Sequence, residues 1–130
     1  MIVGVGLDVC AIARMQDALD RWGDRIWDRV LTEDERRSLA QRVDRATALA
    51  GRFAAKEAIV KAMAGAPGVG WHDLEVRGAP KRPPSFALHG PARTLADRMG
   101  VTRVHLSISH DGGVAAAVVV LEGEAPRSAS

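Results

Sequence analysis

Between Ile2 and Val9 the chain alternates, with Val3, Val5, Leu7 and Val9 on one side and Gly4, Gly6 and Asp8 on the other. That period of two predicts a β-strand whose valine and leucine face is packed and whose glycine face is nearly bare until Asp8. From Ile12 the period lengthens: Ile12, Met15, Leu19, Trp22 and Ile26 recur at helical spacing, while Arg14, Arg21 and Arg25 occupy a different stripe. The spacing predicts one amphipathic helix with a basic edge. Thr32 followed by Glu35 forms a capping box, so a second helix is expected to start there and run into the arginine-rich stretch near Arg45. An alanine-rich third helix is expected from Thr47 to Ala64, ended by Gly65, Pro67, Gly68 and Gly70.

Further along, Trp71 to Arg77 and Ser85 to His89 read as short strands around a proline-containing turn at Lys81 to Pro84. Gly90-Pro91 opens a short helix that stops at Gly100, which uses proline near a helix start and glycine past its end. Val104, Leu106 and Ile108 then alternate with His105, Ser107 and Ser109. Asp111-Gly112-Gly113 turns the chain into the apolar run Val114 to Leu121, which makes a hairpin. Residues 1–121 are expected to form one domain, and the small, polar residues 122–130 a disordered tail.

Composition narrows this outline. With 130 residues and 47% hydrophobic content, the chain can build one core without metal or disulfide staples. Cys10 is the only cysteine, so no intrachain disulfide forms and a reducing cytosol is the expected setting. The first apolar run has no basic leader and carries Asp8, which argues against a signal peptide or a membrane span. Net charge is only +2, yet Arg14, Arg21, Arg25 and Arg29 cluster in one segment and Arg36, Arg37, Arg42 and Arg45 in the next. Such clusters suit an anionic partner, or they solvate two helix faces. A nucleic-acid-binding module is a competing reading, prompted by a pI near 9.2. Against it, the three tryptophans and two phenylalanines are not interleaved with the basic runs as stacking platforms would be.

Three segments carry chemistry. In Gly4-Val5-Gly6-Leu7-Asp8, glycines let a large ligand approach the backbone while the carboxylate offers a hard oxygen to a cation. A strand-end aspartate also serves as a turn former or cap. In Arg52-Phe53-Ala54-Ala55-Lys56-Glu57-Ala58-Ile59-Val60-Lys61, Glu57 and Lys61 lie four apart on one side of a helix, with Arg52 and Lys56 as a neighbouring basic edge. A surface ion pair would account for them, but the helix is otherwise so apolar that charges on it call for a purpose. Leu106-Ser107-Ile108-Ser109-His110-Asp111 delivers hydroxyls, an imidazole and a carboxylate to a strand end. Consecutive strand residues point to opposite faces, so Ser109 and His110 make a poor nucleophile and base, and a serine hydrolase is disfavoured.

Taken together and in this order, GVGLDV, RFAAKEAIVKA and LSISHD resemble the signature blocks of holo-acyl-carrier-protein synthases, the short group of phosphopantetheinyl transferases. The resemblance implies a compact α+β fold, with a small antiparallel sheet and a long helix, assembled as a homotrimer with active sites in the clefts between subunits. It implies transfer of the phosphopantetheine arm of coenzyme A to a serine of an acyl carrier protein, in fatty acid or polyketide synthesis, with 3′,5′-ADP leaving. Asp8 and Glu57 would be Mg²⁺ ligands, and Lys61 would hold the reacting phosphate and help the departing one. Arg52 and His110 would bind the nucleotide end of coenzyme A, with Lys56, Lys61 and Ser109 beside them. Two carboxylates suit Mg²⁺, which fills its remaining positions with water and phosphate oxygens. The base that takes the serine proton stays open among Glu57, His110, Asp111 and a water on the cation.

Carrier proteins of this kind present an acidic helix, so Arg14, Arg21 and Arg25 are expected to dock it. The chain departs from the family pattern at Ala11 and Ala13, where acidic and basic residues are frequent, and at Val114, where a tyrosine is frequent. A nucleotide-binding trimer without transferase activity would share the pocket, but its binding would survive Asp8→Ala.

Overall fold

The computed structural model describes residues 1–79 and 81–124. Its elements are β1 (Ile2–Ala11), α1 (Ile12–Trp22), α2 (Asp24–Val30), α3 (Glu33–Leu39), α4 (Arg45–Ala62), a 3₁₀ turn at Trp71–Asp73, β2 (Leu74–Ala79), β3 (Arg82–Leu88), α5 (Gly90–Arg98), β4 (Val101–Asp111) and β5 (Val114–Gly123). β5 is the centre of an antiparallel sheet ordered β1-β5-β4, and β2 and β3 form a separate hairpin. The long helix α4 lies across the three-stranded sheet, and the core fills the space between them with Leu49, Ile59, Val119 and Leu121. This is the α+β architecture expected from the sequence.

How close α4 comes to the sheet is decided by small residues. A Cβ on Gly6 would stand 1.8 Å from the Ala58 carbonyl oxygen, and one on Gly4 would stand 2.2 Å from that of Ala62. The glycine face of β1 is therefore the inward one, and its bareness admits the helix backbone rather than a ligand. The faces are inverted relative to the sequence expectation: Val5, Leu7 and Val9 are 58%, 61% and 60% exposed. They pair with Val120, Val118 and Ala116 on β5, so an apolar patch covers the outer side of the sheet.

Boundaries differ from the sequence reading where tertiary demands outweigh periodicity. The single helix expected from Ile12 to Ile26 breaks at Gly23, whose φ of +58° lies in the left-handed region that glycine tolerates. Arg25 consequently sits on α2 and Arg14 and Arg21 on α1. The Thr32–Glu35 capping box is present, with Glu35 N–H donating to Thr32 Oγ1 at 3.1 Å and Thr32 N–H to Glu35 Oε1 at 3.0 Å. The helix it opens stops at Leu39 instead of reaching Arg45, because residues 40–44 carry no apolar face to bury and Val43 is turned to solvent. The strand expected from Trp71 begins at Leu74, after the 3₁₀ turn, and β3 begins at Arg82, so Pro83 and Pro84 lie inside a strand of the hairpin, at an irregularity in its pairing.

β5 extends through Glu122 and Gly123, two positions into the segment expected to be disordered. Met1 N donates to Gly123 O and Gly123 N–H to Met1 O, each at 2.9 Å, which gives those residues partners. The rest of the expected tail, 125–130, lies outside the described residues. Among the described residues no helix is long and apolar enough to cross a membrane.

Candidate active site

The end of β1 and the C-terminal half of α4 bring two of the three sequence segments into contact. Lys61 Nζ donates to Asp8 Oδ1 at 2.7 Å and lies 3.4 Å from the Leu7 carbonyl. Asp8 is largely shielded while Lys61 remains half-exposed, so the pair sits at the rim of the helix–sheet contact. Lys61 makes this bond rather than the surface pair with Glu57 that helical spacing would allow. Among the described residues, Glu57 takes part in no side-chain hydrogen bond or ion pair. Cys10, buried next in line on β1, registers the neighbourhood: burial pushes its thiol pKa up, Arg14 pulls it down, and the charges of Asp8 and Glu57 push it up further.

Asp8 thus keeps one carboxylate oxygen beyond the lysine bond, and both Glu57 oxygens are free. No group of three or more His, Cys, Asp or Glu side chains suited to a metal occurs among the described residues. A pair of hard oxygen donors and nothing more fits Mg²⁺, which takes one or two carboxylates and keeps water and phosphate oxygens for its other positions. It does not fit a closed structural zinc site.

A second cluster lies toward the N-terminal half of α4. A cavity of about 370 Å³ is lined by Arg42, Arg52, Arg82, Ser38, Ser109 and His110, among others. Three residues singled out in the sequence, Arg52, Ser109 and His110, therefore share one pocket. Arg42 and Arg82 were not among the site residues expected from the sequence. Arg42 belonged to a charge cluster with two readings, and Arg82 to a turn, so the signal available was basicity without location. Burial lowers the Arg52 guanidinium pKa, with Glu35 opposing and Arg42 adding to the effect, and its Nε is buried without a hydrogen-bond partner. Arg52 as a whole lines the pocket, where a guanidinium suits an anion's oxygens. Arg42 is already engaged: its Nε and Nη2 donate to Asp44 at 2.6 and 2.7 Å, which holds the Asp44 carboxyl at about 2.

Two expected site residues fall elsewhere. Lys56 is fully buried, and its three ammonium protons are all committed: Nζ donates to Val30 O at 2.6 Å, Glu35 Oε1 at 2.6 Å and Trp71 O at 3.0 Å. The expectation that Lys56 binds coenzyme A is corrected: it holds the core together and has neither exposure nor a free proton for a ligand. Asp111 is exposed at the β4–β5 turn and does not line that cavity.

The basic edge is real but spans two helices. Arg14 and Arg21 line one shallow surface cavity with Trp22, and Arg25 and Arg29 line the next with the same half-exposed Trp22. Arg25 lies over the Trp22 ring at 5.8 Å and Arg14 over Phe53 at 5.4 Å. These guanidinium groups rest on aromatic faces while the residues stay exposed.

The 4′-phosphopantetheinyl transferase superfamily matches residues 4–119. A holo-[acyl-carrier-protein] synthase of Anaeromyxobacter dehalogenans is 52% identical, over 97% of this chain and 100% of the relative. Among solved structures, the holo-ACP synthase of Plasmodium yoelii superposes with a TM-score of 0.84 at 28% identity, covering 95% of this chain and 97% of the other. The holo-(acyl-carrier-protein) synthase of Bacillus anthracis, in complex with CoA (3′,5′-ADP), superposes with a TM-score of 0.76 at 36% identity, covering 95% and 99%.

Proposed function

Because the chain belongs to the 4′-phosphopantetheinyl transferase superfamily, we propose that it moves the 4′-phosphopantetheine group of coenzyme A onto a serine of an apo acyl carrier protein, with Mg²⁺, and releases 3′,5′-ADP. The observation that carries this reading is the 2.7 Å bond from Lys61 on α4 to Asp8 on β1, beside the unpaired Glu57. Two carboxylates and a cation, with Glu57 one helical turn from Lys61, are what gripping a diphosphate through a hard cation calls for.

In the reaction, the serine oxygen forms a bond to the phosphorus bearing the pantetheine, and the bond from that phosphorus to the oxygen bridging it to the nucleotide phosphate breaks. Negative charge grows on the equatorial and departing oxygens, so catalysis is mostly positioning and neutralisation. Mg²⁺, held by Asp8 and Glu57, would supply Lewis acidity toward the diphosphate. Lys61 keeps Asp8 oriented and presents an ammonium to the reacting phosphate. Arg52, with Arg42 and Arg82 as neighbours, offers donors to the nucleotide's phosphates, and His110 and Ser109 line the same cavity. The base for the serine proton stays open among Glu57, His110, which lines the arginine cavity, Asp111, which faces solvent at the turn, and a water on the cation.

A homotrimer with clefts between subunits is supported by the outer sheet face, where Val5, Leu7, Val9, Val114 and Val118 are exposed together. Docking of an acidic carrier is supported by Arg14, Arg21 and Arg25 gathered around Trp22; its association would weaken as salt rises. The setting is the cytosol and the service fatty acid synthesis, with polyketide carriers as further acceptors. The test is direct: incubate the protein with coenzyme A, Mg²⁺ and apo carrier proteins, and weigh the carrier by intact mass. Gain of the arm is expected, and no gain with any apo carrier ends the proposal.

A further inference from the structure

Thr32, Glu35, Lys56 and Glu75 are the buried polar and charged side chains among the described residues, and one run of hydrogen bonds joins all four. Lys56 Nζ donates to Glu35 Oε1 at 2.6 Å, Glu35 N–H to Thr32 Oγ1 at 3.1 Å, and Thr32 Oγ1 to Glu75 Oε1 at 2.8 Å. The run crosses from α4 through the cap of α3 to β2. At its far end the second Glu75 oxygen, Oε2, accepts from Arg77 Nε at 2.9 Å and lies 3.5 Å from His89 Nε2. Burial pushes the Glu75 carboxyl pKa up, but the contacts with Thr32, Arg77 and His89 outweigh it and hold the group below the usual carboxylate range.

A buried carboxylate is a poor source of stability, because apolar side chains of similar volume serve as well; what it can supply is a fixed relation between the elements it joins. Those elements here share a cavity. α3 carries Ser38 and Leu39, α4 carries Arg52, and the β2–β3 hairpin carries Gly78, Arg82 and Pro84, all lining the arginine cavity. A Cβ on Gly78 would lie 3.7 Å from Arg52 Nη2, so β2 runs directly past the guanidinium. Arg52 Nε has no hydrogen-bond partner, so packing against the walls sets where that guanidinium points. Glu75 precedes Gly78 on the same strand by about 10 Å, at roughly 3.3 Å per residue. Among the described residues, its bond to Thr32 is the only side-chain hydrogen bond between the hairpin and the start of α3.

We propose that Glu75 is a positioning residue for donor binding: by holding the β2–β3 hairpin to the cap of α3, it sets Gly78 and Arg82 against Arg52, so that the nucleotide's phosphates meet an assembled pocket. The inference rests on the transferase reading for the identity of that nucleotide, and adds a residue that does not itself line the cavity. A hairpin in place only about a tenth of the time would bind about tenfold more weakly.

The experiment follows binding of 3′,5′-ADP to the full chain with Mg²⁺ by isothermal titration calorimetry, beside steady-state transfer kinetics. Glu75→Leu cuts the tie without stranding a buried charge, because Arg77 and His89 reach solvent and Lys56 keeps Glu35. It should weaken 3′,5′-ADP binding about tenfold and raise the KM for coenzyme A likewise, with kcat and the carrier's KM changed by no more than about twofold. Glu75→Gln keeps an acceptor for Thr32 and should recover affinity to within about threefold of the parent. Thr32→Ala cuts the same bond from the other side, and the double variant should bind no worse than the weaker single one, whereas unlinked residues would multiply their effects. Circular dichroism shows which variants fold; if Glu75→Leu does not, Thr32→Ala against Thr32→Ser, which restores the hydroxyl, reads the same tie. Parental affinity in a folded Glu75→Leu or Thr32→Ala variant overturns the assignment. So does a Glu75→Gln variant that binds no better than Glu75→Leu, or a loss that falls equally on the carrier's KM. Failure of the unaltered protein to bind 3′,5′-ADP strikes the transferase reading itself, and the inference with it.

Discussion

Lys56 and Glu57 are consecutive on one helix and have opposite fates, because a step of about 100° turns the first into the core and the second to the rim. Lys56 is a buried cation with three acceptors, so its removal strands Glu35, whose second oxygen already lacks a partner. Lys56→Met should destabilise by about 3–5 kcal/mol in urea unfolding, and the double variant Lys56→Met/Glu35→Gln should recover part of the loss, since no charge is then left buried alone. Glu57 has no such partner. Glu57→Gln should leave the unfolding free energy within about 0.5 kcal/mol of the parent and abolish phosphopantetheine transfer at ordinary Mg²⁺; full activity retained would remove Glu57 from the metal site. At this scale the sequence supplied the identities but not the burial. The Phe-x-x-Lys-Glu spacing flagged both residues, while only packing of α3, the Val30 carbonyl and the Trp71 turn around one side of α4 told their roles apart.

Among the elements, β1 and α4 decide the site, because Asp8 reaches Lys61 only if strand and helix backbones nearly touch. Gly6→Ala would place a Cβ 1.8 Å from the Ala58 carbonyl oxygen and 2.7 Å from the Ala62 nitrogen, both main chain and unable to move alone. The substitution should cost about 3 kcal/mol or more, seen as a drop in Tm of roughly 10 °C, with transfer lost even in the folded fraction as the helix is pushed outward. Periodicity read β1, α4, α5 and the β4–β5 hairpin correctly as elements, and the capping box placed the start of α3. It could not say which face of β1 turns inward. Alternation defines two faces, and the usual preference for burying valine and leucine is overridden here by the need for a helix to lie flush on glycines. The break at Gly23 escaped for a related reason: apolar spacing continues across it from Leu19 through Trp22 to Ile26, and only the left-handed φ of the glycine interrupts it.

For the molecule as a whole, the inversion of β1 leaves its apolar side chains on the outside, in register with Val118 and Val120 of the central strand. Such a patch suits contact with further copies of the chain, which is what the proposed homotrimer requires. Val118→Lys, at the cross-strand partner of Leu7, should shift the species seen by sedimentation from trimer to monomer and lower transfer by at least about tenfold if subunits share the cleft. A monomeric parent, or a monomeric variant with full activity, would separate assembly from catalysis. The basic cavity was beyond the reach of the sequence because its walls come from segments far apart in the chain, such as Arg42, Arg82 and His110.

The same helix–strand seam buries Cys10, the chain's single sulfhydryl, within reach of the Asp8 and Glu57 charges. Burial disfavours its thiolate, the form that iodoacetamide attacks. Carbamidomethylation should therefore proceed only when β1 lifts from α4, and its rate, followed by mass, becomes a clock for opening of the catalytic seam. If modification runs as fast in the native protein as in urea, that seam is not closed in solution.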